Sequence, residues 1–179
     1  MQGLRAALNV VSLVITYPYK ERATSFADSL QPAAIRVGAI NALRLEADGR
    51  WTGGMFDGVG LVKAVESLGM NVRGQAVRLL GAGGAGAAIA HALAEAGAIS
   101  LSIFDLDGSK ADRLAASLRA DHPVCHASSG AAGLAGETLL INATPVGMRQ
   151  EDGLPTDLST LSAATTVVDI VPRAGGTAL

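Results

Sequence analysis

Lys20 and Asp57 are the two residues whose type and position suggest proton transfer. Lys20 comes shortly after the apolar segment 10–16, and Asp57 shortly after the apolar segment 51–55. Reactive groups in α/β proteins usually follow the ends of buried strands. A lysine and an aspartate that meet there can move a proton to or from a hydroxyl group. Taken separately, each has a simpler interpretation, Lys20 as a solvated side chain and Asp57 as a helix N-cap.

A glycine-rich segment with the pattern G-x-G-x-x-G separates an apolar segment from an alanine-rich one. It consists of Gly81, Ala82, Gly83, Gly84, Ala85 and Gly86. In a strand-loop-helix unit, the first glycine permits a tight turn, the second lets the backbone approach a pyrophosphate, and the third lets helix and strand pack closely. The start of the helix then offers free N–H groups to the phosphates. The context predicts dinucleotide binding, and a purely structural glycine turn is the alternative, because the chain has 22 glycines.

Asp105 follows the glycine motif near the offset of roughly 20 residues at which an acidic residue binds the adenosine ribose. Its charge would repel a 2′-phosphate, residues 104–109 contain no arginine, and Lys110 is the nearest cation. The sequence therefore favours NAD over NADP as the cofactor. The alternative is that Asp105 or Asp107 only caps the helix that begins near Ser109. Both roles are compatible, since Asp107 can cap while Asp105 binds ribose.

The elements around the glycine motif alternate between short apolar strands and helices. Strands are predicted at residues 77–80, 101–104, 124–126, 138–141 and 166–170, and helices at 84–96 and 109–120. This order is typical of an α/β fold with a Rossmann-type, doubly wound parallel sheet.

The first part of the chain predicts a second, partial α/β lobe. Residues 2–8 resemble the end of a helix, residues 10–16 a strand buried on both faces, and residues 21–30 a helix. A hairpin joins strands at 39–46 and 51–55, and Asp57 begins a helix. The buried side of that helix is predicted to consist of Leu61, Val62, Val65 and Leu68. We expect a partial substrate-binding lobe at residues 1–72 and a cofactor-binding lobe at 73–179.

Composition excludes several functional classes. The net charge is −2, no run of like charges occurs, and the apolar content of 49% argues against disorder. No apolar run approaches the roughly 20 residues of a membrane span, and the single cysteine, Cys125, fits a reducing compartment. We expect a soluble, cytoplasmic monomer or homodimer without a nucleic-acid or membrane partner.

Five motifs in sequence order resemble those of the shikimate dehydrogenase family, which includes the quinate/shikimate dehydrogenases. The first three are Thr16-x-Pro18-x-Lys20, Gly38-Ala39-Ile40-Asn41 and Asp57-Gly58. The last two are the glycine motif and Asn142-Ala143-Thr144-Pro145-Val146-Gly147-Met148. The resemblance covers nearly the whole chain. It implies a two-lobed α/β oxidoreductase that interconverts a ring alcohol and a ketone, as in shikimate and 3-dehydroshikimate or in quinate, with a nicotinamide cofactor.

The resemblance also implies the roles of individual residues. Lys20 matches the catalytic lysine, Asp57 its carboxylate partner, and Thr16 and Asn41 residues that bind ring hydroxyls. A paired carboxylate favours the charged form of the lysine, which can then donate a proton during ketone reduction. For the lysine to act as a base instead, burial or the substrate must offset this preference for the charged form. The last motif matches the loop at the nicotinamide end of the cofactor, with Asn142, Ala143, Thr144, Val146 and Met148. An ordinary strand-to-loop transition is the alternative for that segment.

The chain also departs from the family pattern. Val14 and Met55-Phe56 replace polar residues near the substrate, Pro172 replaces a tyrosine, and Asp105-Leu106-Asp107 resembles the NAD-using members. The family's amino-terminal strands, with substrate-binding serines, and its carboxy-terminal helices are not in the sequence, so we expect a fragment truncated at both ends. Residues 10–16 would then form an exposed, parallel edge strand. The alternative function is a non-catalytic, dinucleotide-binding remnant without a complete substrate site.

Overall fold

The computed structural model describes residues 3, 9–130, 136–159 and 161–179. Most of the helix predicted at residues 2–8 lies outside the described residues. Two sheets organise the described part of the chain, one of four strands and one of five.

The first sheet has the order β1-β3-β4-β2. It contains β1 (Ser12–Val14), β2 (Ser29–Leu30), β3 (Ala42–Leu45) and β4 (Trp51–Gly54). The predicted hairpin is confirmed, because β3 and β4 pair antiparallel from Ala42 opposite Gly54 to Leu45 opposite Trp51. Gly49, in the connecting turn, has a φ of 84°, which the lack of a side chain permits.

Strand β1 differs from the prediction in burial and direction. Within the described part of the chain it is an edge strand with β3 as its one neighbour, and the two strands pair antiparallel, not parallel. Val11 is 64% exposed and Val14 90% exposed, so the prediction of burial on both faces was wrong. The exposed valines of this segment form an apolar surface that no other strand of the four-stranded sheet covers. The predicted exposed edge is confirmed.

The helix predicted at residues 21–30 is a 3-10 helix limited to Arg22–Phe26. The hydroxyl groups of Thr24 and Ser25 bond back to the carbonyls of Glu21 and Arg22, which competes with a longer helix. Ser29–Leu30 then joins β4 as a parallel strand. A short helix that the sequence analysis did not predict follows, α1 (Pro32–Val37), with proline in its first turn and Gly38 in the left-handed conformation at its end.

Helix α2 (Asp57–Ser67) connects the two sheets. Val62 and Val65 are buried as predicted, but Leu68 is 86% exposed because the helix ends before it. Gly58 is also buried on the inner side of α2.

The second sheet is fully parallel, with the order β7-β6-β5-β8-β9. Its strands are β5 (Ala76–Leu80), β6 (Ser100–Phe104), β7 (His126–Ser129), β8 (Leu139–Asn142) and β9 (Thr166–Asp169). Helix α3 (Gly84–Glu95) connects β5 to β6, and α4 (Gly108–Asp121) connects β6 to β7. The strand order reverses between β5 and β8, where ligands of doubly wound sheets bind. The Rossmann-type prediction is confirmed.

The predicted third strand of this sheet was displaced. It begins at His126 and not at Val124, which is 85% exposed, because the chain turns through residues 122–125 before it pairs with β6. Cys125 in this turn is a buried free thiol, and burial raises its pKa.

The core of the second sheet is aliphatic and contains Leu79, Leu93, Ile103, Leu118 and Ile141. Among the described residues, the structure contains no helix with the length and apolar character that a membrane span requires. The division at residues 72 and 73 and the cytoplasmic location remain predictions.

Candidate functional site

Lys20, Asp57 and Asn41 form one hydrogen-bonded group. The Nζ atom of Lys20 lies 2.6 Å from Oδ2 of Asp57, and the Nδ2 atom of Asn41 donates to Oδ1 of Asp57 at 2.7 Å. The lysine and aspartate side chains are 19% and 22% exposed. The pair is therefore partly shielded but still reachable by a small ligand. The interpretation of Lys20 as a freely solvated side chain does not fit this geometry.

The backbone of the first sheet holds this group in place. The Ile40 N–H donates to the Lys20 carbonyl at 3.0 Å, and the Asn41 N–H donates to the Gly54 carbonyl at 2.9 Å. The Phe56 N–H donates to Oδ1 of Asn41 at 3.0 Å, so this amide orients the start of α2. The N-cap role considered for Asp57 was wrong, since Phe56 occupies that position and makes no capping bond through its side chain.

Thr16 is exposed and lies in the turn that precedes Lys20. Its carbonyl accepts the Tyr19 N–H at 2.9 Å, which forms the turn that carries Lys20. The predicted contact of Thr16 with substrate remains a prediction.

The glycine motif lies between β5 and α3. Gly81 has a φ of 97°, and a Cβ atom there would lie 2.8 Å from the Ala143 carbonyl oxygen. A Cβ on Gly86 would lie 1.9 Å from the Gly81 carbonyl oxygen, so only glycine allows this helix-strand approach. A Cβ on Gly83 would meet no atom within 4 Å, which leaves space for a ligand against the loop.

The start of α3 lies close to Lys20. A Cβ on Gly84 would lie 2.9 Å from the Cβ of Ala39 and 3.6 Å from the Cβ of Lys20. The start of this helix, where the first N–H groups have no partner within the helix, therefore lies beside the residue that forms the ion pair with Asp57. Ala82 and Ala85 are partly exposed on the same loop and helix start.

Asp105, at the end of β6, contacts the glycine motif directly. Its Oδ2 atom accepts the Ala82 N–H at 2.7 Å, and its Oδ1 atom accepts the Asp107 N–H at 2.9 Å. The helix cap is Asp107, which accepts the Ser109 N–H at 3.1 Å. Hydrogen bonds from Ser109 lower the pKa of Asp107. The capping alternative therefore applies to Asp107 and leaves Asp105 beside the loop.

Asn142, the last residue of β8, holds the loop that follows this strand. This residue is fully buried; its Nδ2 donates to the Val146 carbonyl at 3.1 Å, and its Oδ1 accepts the Thr144 hydroxyl at 2.7 Å. The geometry fits a residue that positions the loop, in contrast to the direct cofactor contact predicted from the motif. Ala143 and Val146 are partly exposed, and Met148 is 41% exposed.

Three residues that the sequence analysis missed fix the same loop. Asp169 accepts the Asn142 amide at 3.0 Å and the Thr177 hydroxyl at 2.5 Å, while Asp152 accepts the Gly147 N–H at 2.9 Å. Backbone hydrogen bonds from Arg149 and Gly147 lower the pKa of Asp152. Asp169 lies near the end of the strand predicted at 166–170, which was the available signal. Asp152 and Thr177 lie in segments without a motif.

Known proteins with similar sequences share one family. The family model for the shikimate dehydrogenase substrate binding domain matches residues 1–43. The chain is 36% identical over 172 residues to the shikimate dehydrogenase (NADP(+)) of Rhodospirillum rubrum, covering 92% of this chain and 60% of the relative. It is 37% identical over 179 residues to the enzyme of that name from Rubrobacter xylanophilus, covering 98% and 62%. The chain thus spans about 60% of the length of these curated relatives.

Solved structures of shikimate and quinate dehydrogenases are similar to the chain in fold. The shikimate dehydrogenase of Aquifex aeolicus matches with a TM-score of 0.81 at 27% identity, covering 96% of this chain and 62% of that chain. A quinate dehydrogenase from Corynebacterium glutamicum in complex with NAD matches with a TM-score of 0.80 at 32% identity, covering 95% and 63%. In sequence and in fold, the chain is similar to members of the shikimate dehydrogenase family over nearly its whole length.

Proposed function

We propose that the chain carries the proton-transfer and cofactor sites of a nicotinamide-dependent dehydrogenase of the shikimate or quinate type. The observation that carries this proposal is the Lys20–Asp57 pair, which lies beside the glycine-rich start of α3. In this proposal residues 1–72 contribute to the substrate lobe and residues 73–179 form the cofactor lobe.

The residues around the glycine motif fit a dinucleotide. Gly83 offers open space where a pyrophosphate needs close backbone approach, and the start of α3 offers N–H donors. Asp105 offers a carboxylate beside the loop for ribose hydroxyl groups. Ala143, Thr144, Val146 and Met148 would line the nicotinamide end, with Asn142 holding their loop. When bound, the cofactor supplies or accepts the hydride.

Lys20 handles the proton in this mechanism. During ketone reduction its ammonium group donates a proton to the oxygen that gains negative charge, and during alcohol oxidation its neutral amine accepts the hydroxyl proton. Asp57 orients the Lys20 side chain through the contact of 2.6 Å between its Oδ2 atom and Nζ. Asn41 orients Asp57 and keeps a second N–H, since an amide nitrogen has two donors. That N–H and the Thr16 hydroxyl would bind hydroxyl groups of the substrate.

We infer a preference for NAD over NADP. Asp105 places a negative charge beside the glycine loop, where it would bind ribose hydroxyls and repel a 2′-phosphate. Although the curated relatives are named for NADP(+), the quinate dehydrogenase of Corynebacterium glutamicum was solved with NAD. The substrate class is a small ring with hydroxyl groups and a carboxylate, for which shikimate and quinate are the probes.

The test follows NADH absorbance with shikimate and with quinate, for the unmodified chain and for Lys20→Ala. The expected result is turnover by the unmodified chain and its loss in Lys20→Ala, with NAD binding retained when measured by calorimetry. Lys63→Ala, an exposed lysine on α2, is the matched control and should keep its activity. Equal activity in Lys20→Ala would refute the assignment. NAD binding without turnover in the unmodified chain would favour the alternative of a non-catalytic dinucleotide-binding protein.

A further inference from the structure

A second cluster of ligand-type side chains lies away from the Lys20–Asp57 pair, where the carboxyl-terminal half of α3 meets the end of α4. It consists of His91 on α3 and Asp121 and His122 at the end of α4. The Nδ1 atom of His91 lies 3.2 Å from Nε2 of His122 and 3.8 Å from Oδ2 of Asp121. One ligand atom from each of the three residues therefore lies within 4.8 Å of the others.

These distances match the spacing of ligands around a small divalent cation. Zinc binds histidine nitrogen and carboxylate oxygen at about 2.0–2.2 Å, so ligand atoms in a tetrahedral site lie about 3.3–3.5 Å apart. Two histidines and one carboxylate leave a fourth position for water, and the Asp121 side chain is 40% exposed to solvent. For all three atoms to bind one ion, Oδ2 of Asp121 would have to move closer to Nδ1 of His91 than the present 3.8 Å.

The surroundings of His91 hold its ring in the orientation that a metal ligand needs. Its Nε2 atom lies 3.3 Å from the Ser117 hydroxyl, which gives the ring a hydrogen-bond partner on the nitrogen that does not face His122. Burial lowers the pKa of His91 to about 4. His91 also lines a cavity of about 340 Å³.

The charges around the cluster are consistent with a cation. Arg36 lies 3.8 Å from Oδ2 of Asp121 but also forms an ion pair with Glu95, so two carboxylates share one guanidinium. Arg36, Glu95 and Asp121 together carry a formal charge of −1, which favours a divalent ion.

We propose that His91, Asp121 and His122 form a zinc-type metal site that links α3 to the end of α4. The hydrogen bond between the two imidazoles holds the ligand atoms together in the absence of metal. In the metal-bound form, His122 binds through Nε2 and carries its proton on Nδ1. The site stabilises the packing of two helices of the cofactor-binding sheet and takes no part in proton transfer at Lys20. It is thus independent of the proposed function.

The test uses chelator-treated, tag-free protein titrated with Zn²⁺ by calorimetry, together with the absorption spectrum of the Co²⁺ form. We expect one saturable site per chain, a tetrahedral Co²⁺ spectrum and a higher Tm with Zn²⁺. A thiolate-to-cobalt charge-transfer band would instead implicate Cys125 and overturn the assignment. The absence of saturable binding would also overturn it.

Variants identify the ligands. His122→Gln and Asp121→Asn should each weaken Zn²⁺ binding by more than the roughly 10- to 100-fold expected for loss of an outer-shell partner, and Ser117→Ala should fall within that range. His126→Gln, the remaining histidine and an exposed one, is the matched control and should bind zinc normally. Wild-type affinity in His122→Gln or Asp121→Asn refutes the site, as does loss of binding in His126→Gln. If His122→Gln fails to fold, Asp121→Asn decides.

Discussion

Gly58 and Gly60 lie two positions apart in α2, and the same substitution should have opposite effects at the two positions. A Cβ on Gly58 would lie 2.1 Å from the Ala88 carbonyl oxygen in α3 and 2.9 Å from the Ala92 Cβ, whereas a Cβ on Gly60 would meet no atom within 4 Å. Helix α2 carries Asp57, and α3 begins beside Lys20. The spacing of these two helices therefore sets the position of the proposed proton-transfer pair.

The magnitudes follow from these distances. At Gly58 the contact falls more than 1 Å short of the 3.4 Å at which ordinary van der Waals contact begins, and the obstacle is backbone. Overpacking of this kind costs about 1–3 kcal/mol, partly offset by the roughly 0.5–1 kcal/mol that alanine gains over glycine in a helix. Gly58→Ala should lower the free energy of unfolding by about 1–2 kcal/mol, while Gly60→Ala should raise it by about 0.5–1 kcal/mol.

Thermal and urea unfolding, followed by circular dichroism, measure both effects. With about 2–4 °C per kcal/mol for a chain of this size, Tm should fall by about 2–8 °C in Gly58→Ala and rise by about 1–4 °C in Gly60→Ala. A displacement of α2 by about 1 Å should also reduce turnover by roughly 100-fold in Gly58→Ala. A Gly58→Ala variant as stable as the unmodified protein would refute the close approach of α2 and α3.

Four further substitutions test the site. Asp105→Asn removes a charge but keeps an acceptor for the Ala82 N–H, and it should reduce the ratio of kcat/KM for NAD over NADP by about tenfold to hundredfold; an unchanged ratio would contradict the ribose assignment. Asp57→Asn should lower kcat without changing NAD affinity in calorimetry, and unchanged kcat would remove the aspartate from the proton-transfer group. Asn142→Ala leaves buried partners of its amide unpaired and should cost about 1–3 kcal/mol in urea unfolding, whereas a neutral effect would exclude the positioning role. Backbone N–H groups lower the pKa of Asp152, so the stability that its carboxylate contributes is present above the unfolded pKa of about 3.9 and is lost as pH falls from there through the lowered pKa of the folded state. Asp152→Asn should therefore reduce the slope of Tm against pH below about 3.9. An unchanged slope would contradict this role of Asp152.

The cofactor-binding sheet was predictable because its signals are local. Apolar strands at 77–80 and 101–104, the glycine motif and the acidic residue after the second strand all lie within about 30 residues, the length of one βαβ unit. Gly81 and Gly86 occupy their positions because no side chain fits there, so their identity already encodes the turn and the close packing. Errors in this part were limited to element ends, as at Val124.

The first sheet was less predictable because distant pairing decides its structure. Ser29–Leu30 has a helical apolar pattern with its preceding residues, yet it becomes a strand through parallel pairing with Thr52 and Gly53. Val14 has the composition of a buried strand but lies at an edge, because burial depends on neighbours and not on the strand's own residues.

The same distinction applies to the candidate site. Sequence motifs identified Lys20, Asn41 and Asp57, but the bond from Asn41 to Asp57 depends on the register that puts Asn41 beside Gly54 at the end of β4. Asp152 and Thr177 support the last loop through contacts that no local pattern indicates.

Close backbone approach connects the two halves of the proposed site. Gly58 brings α2, with Asp57, against α3, and Gly84 brings the start of α3 against Ala39 and Lys20. A larger residue would disturb both contacts, because the added Cβ would lie 2.1 Å from the Ala88 carbonyl oxygen at Gly58 and 2.9 Å from the Ala39 Cβ at Gly84. The glycine-rich composition therefore affects more than the phosphate loop. It sets the distance between the proton-transfer pair and the helix that would hold the cofactor, and this distance determines whether proton and hydride can reach the same substrate carbon and oxygen.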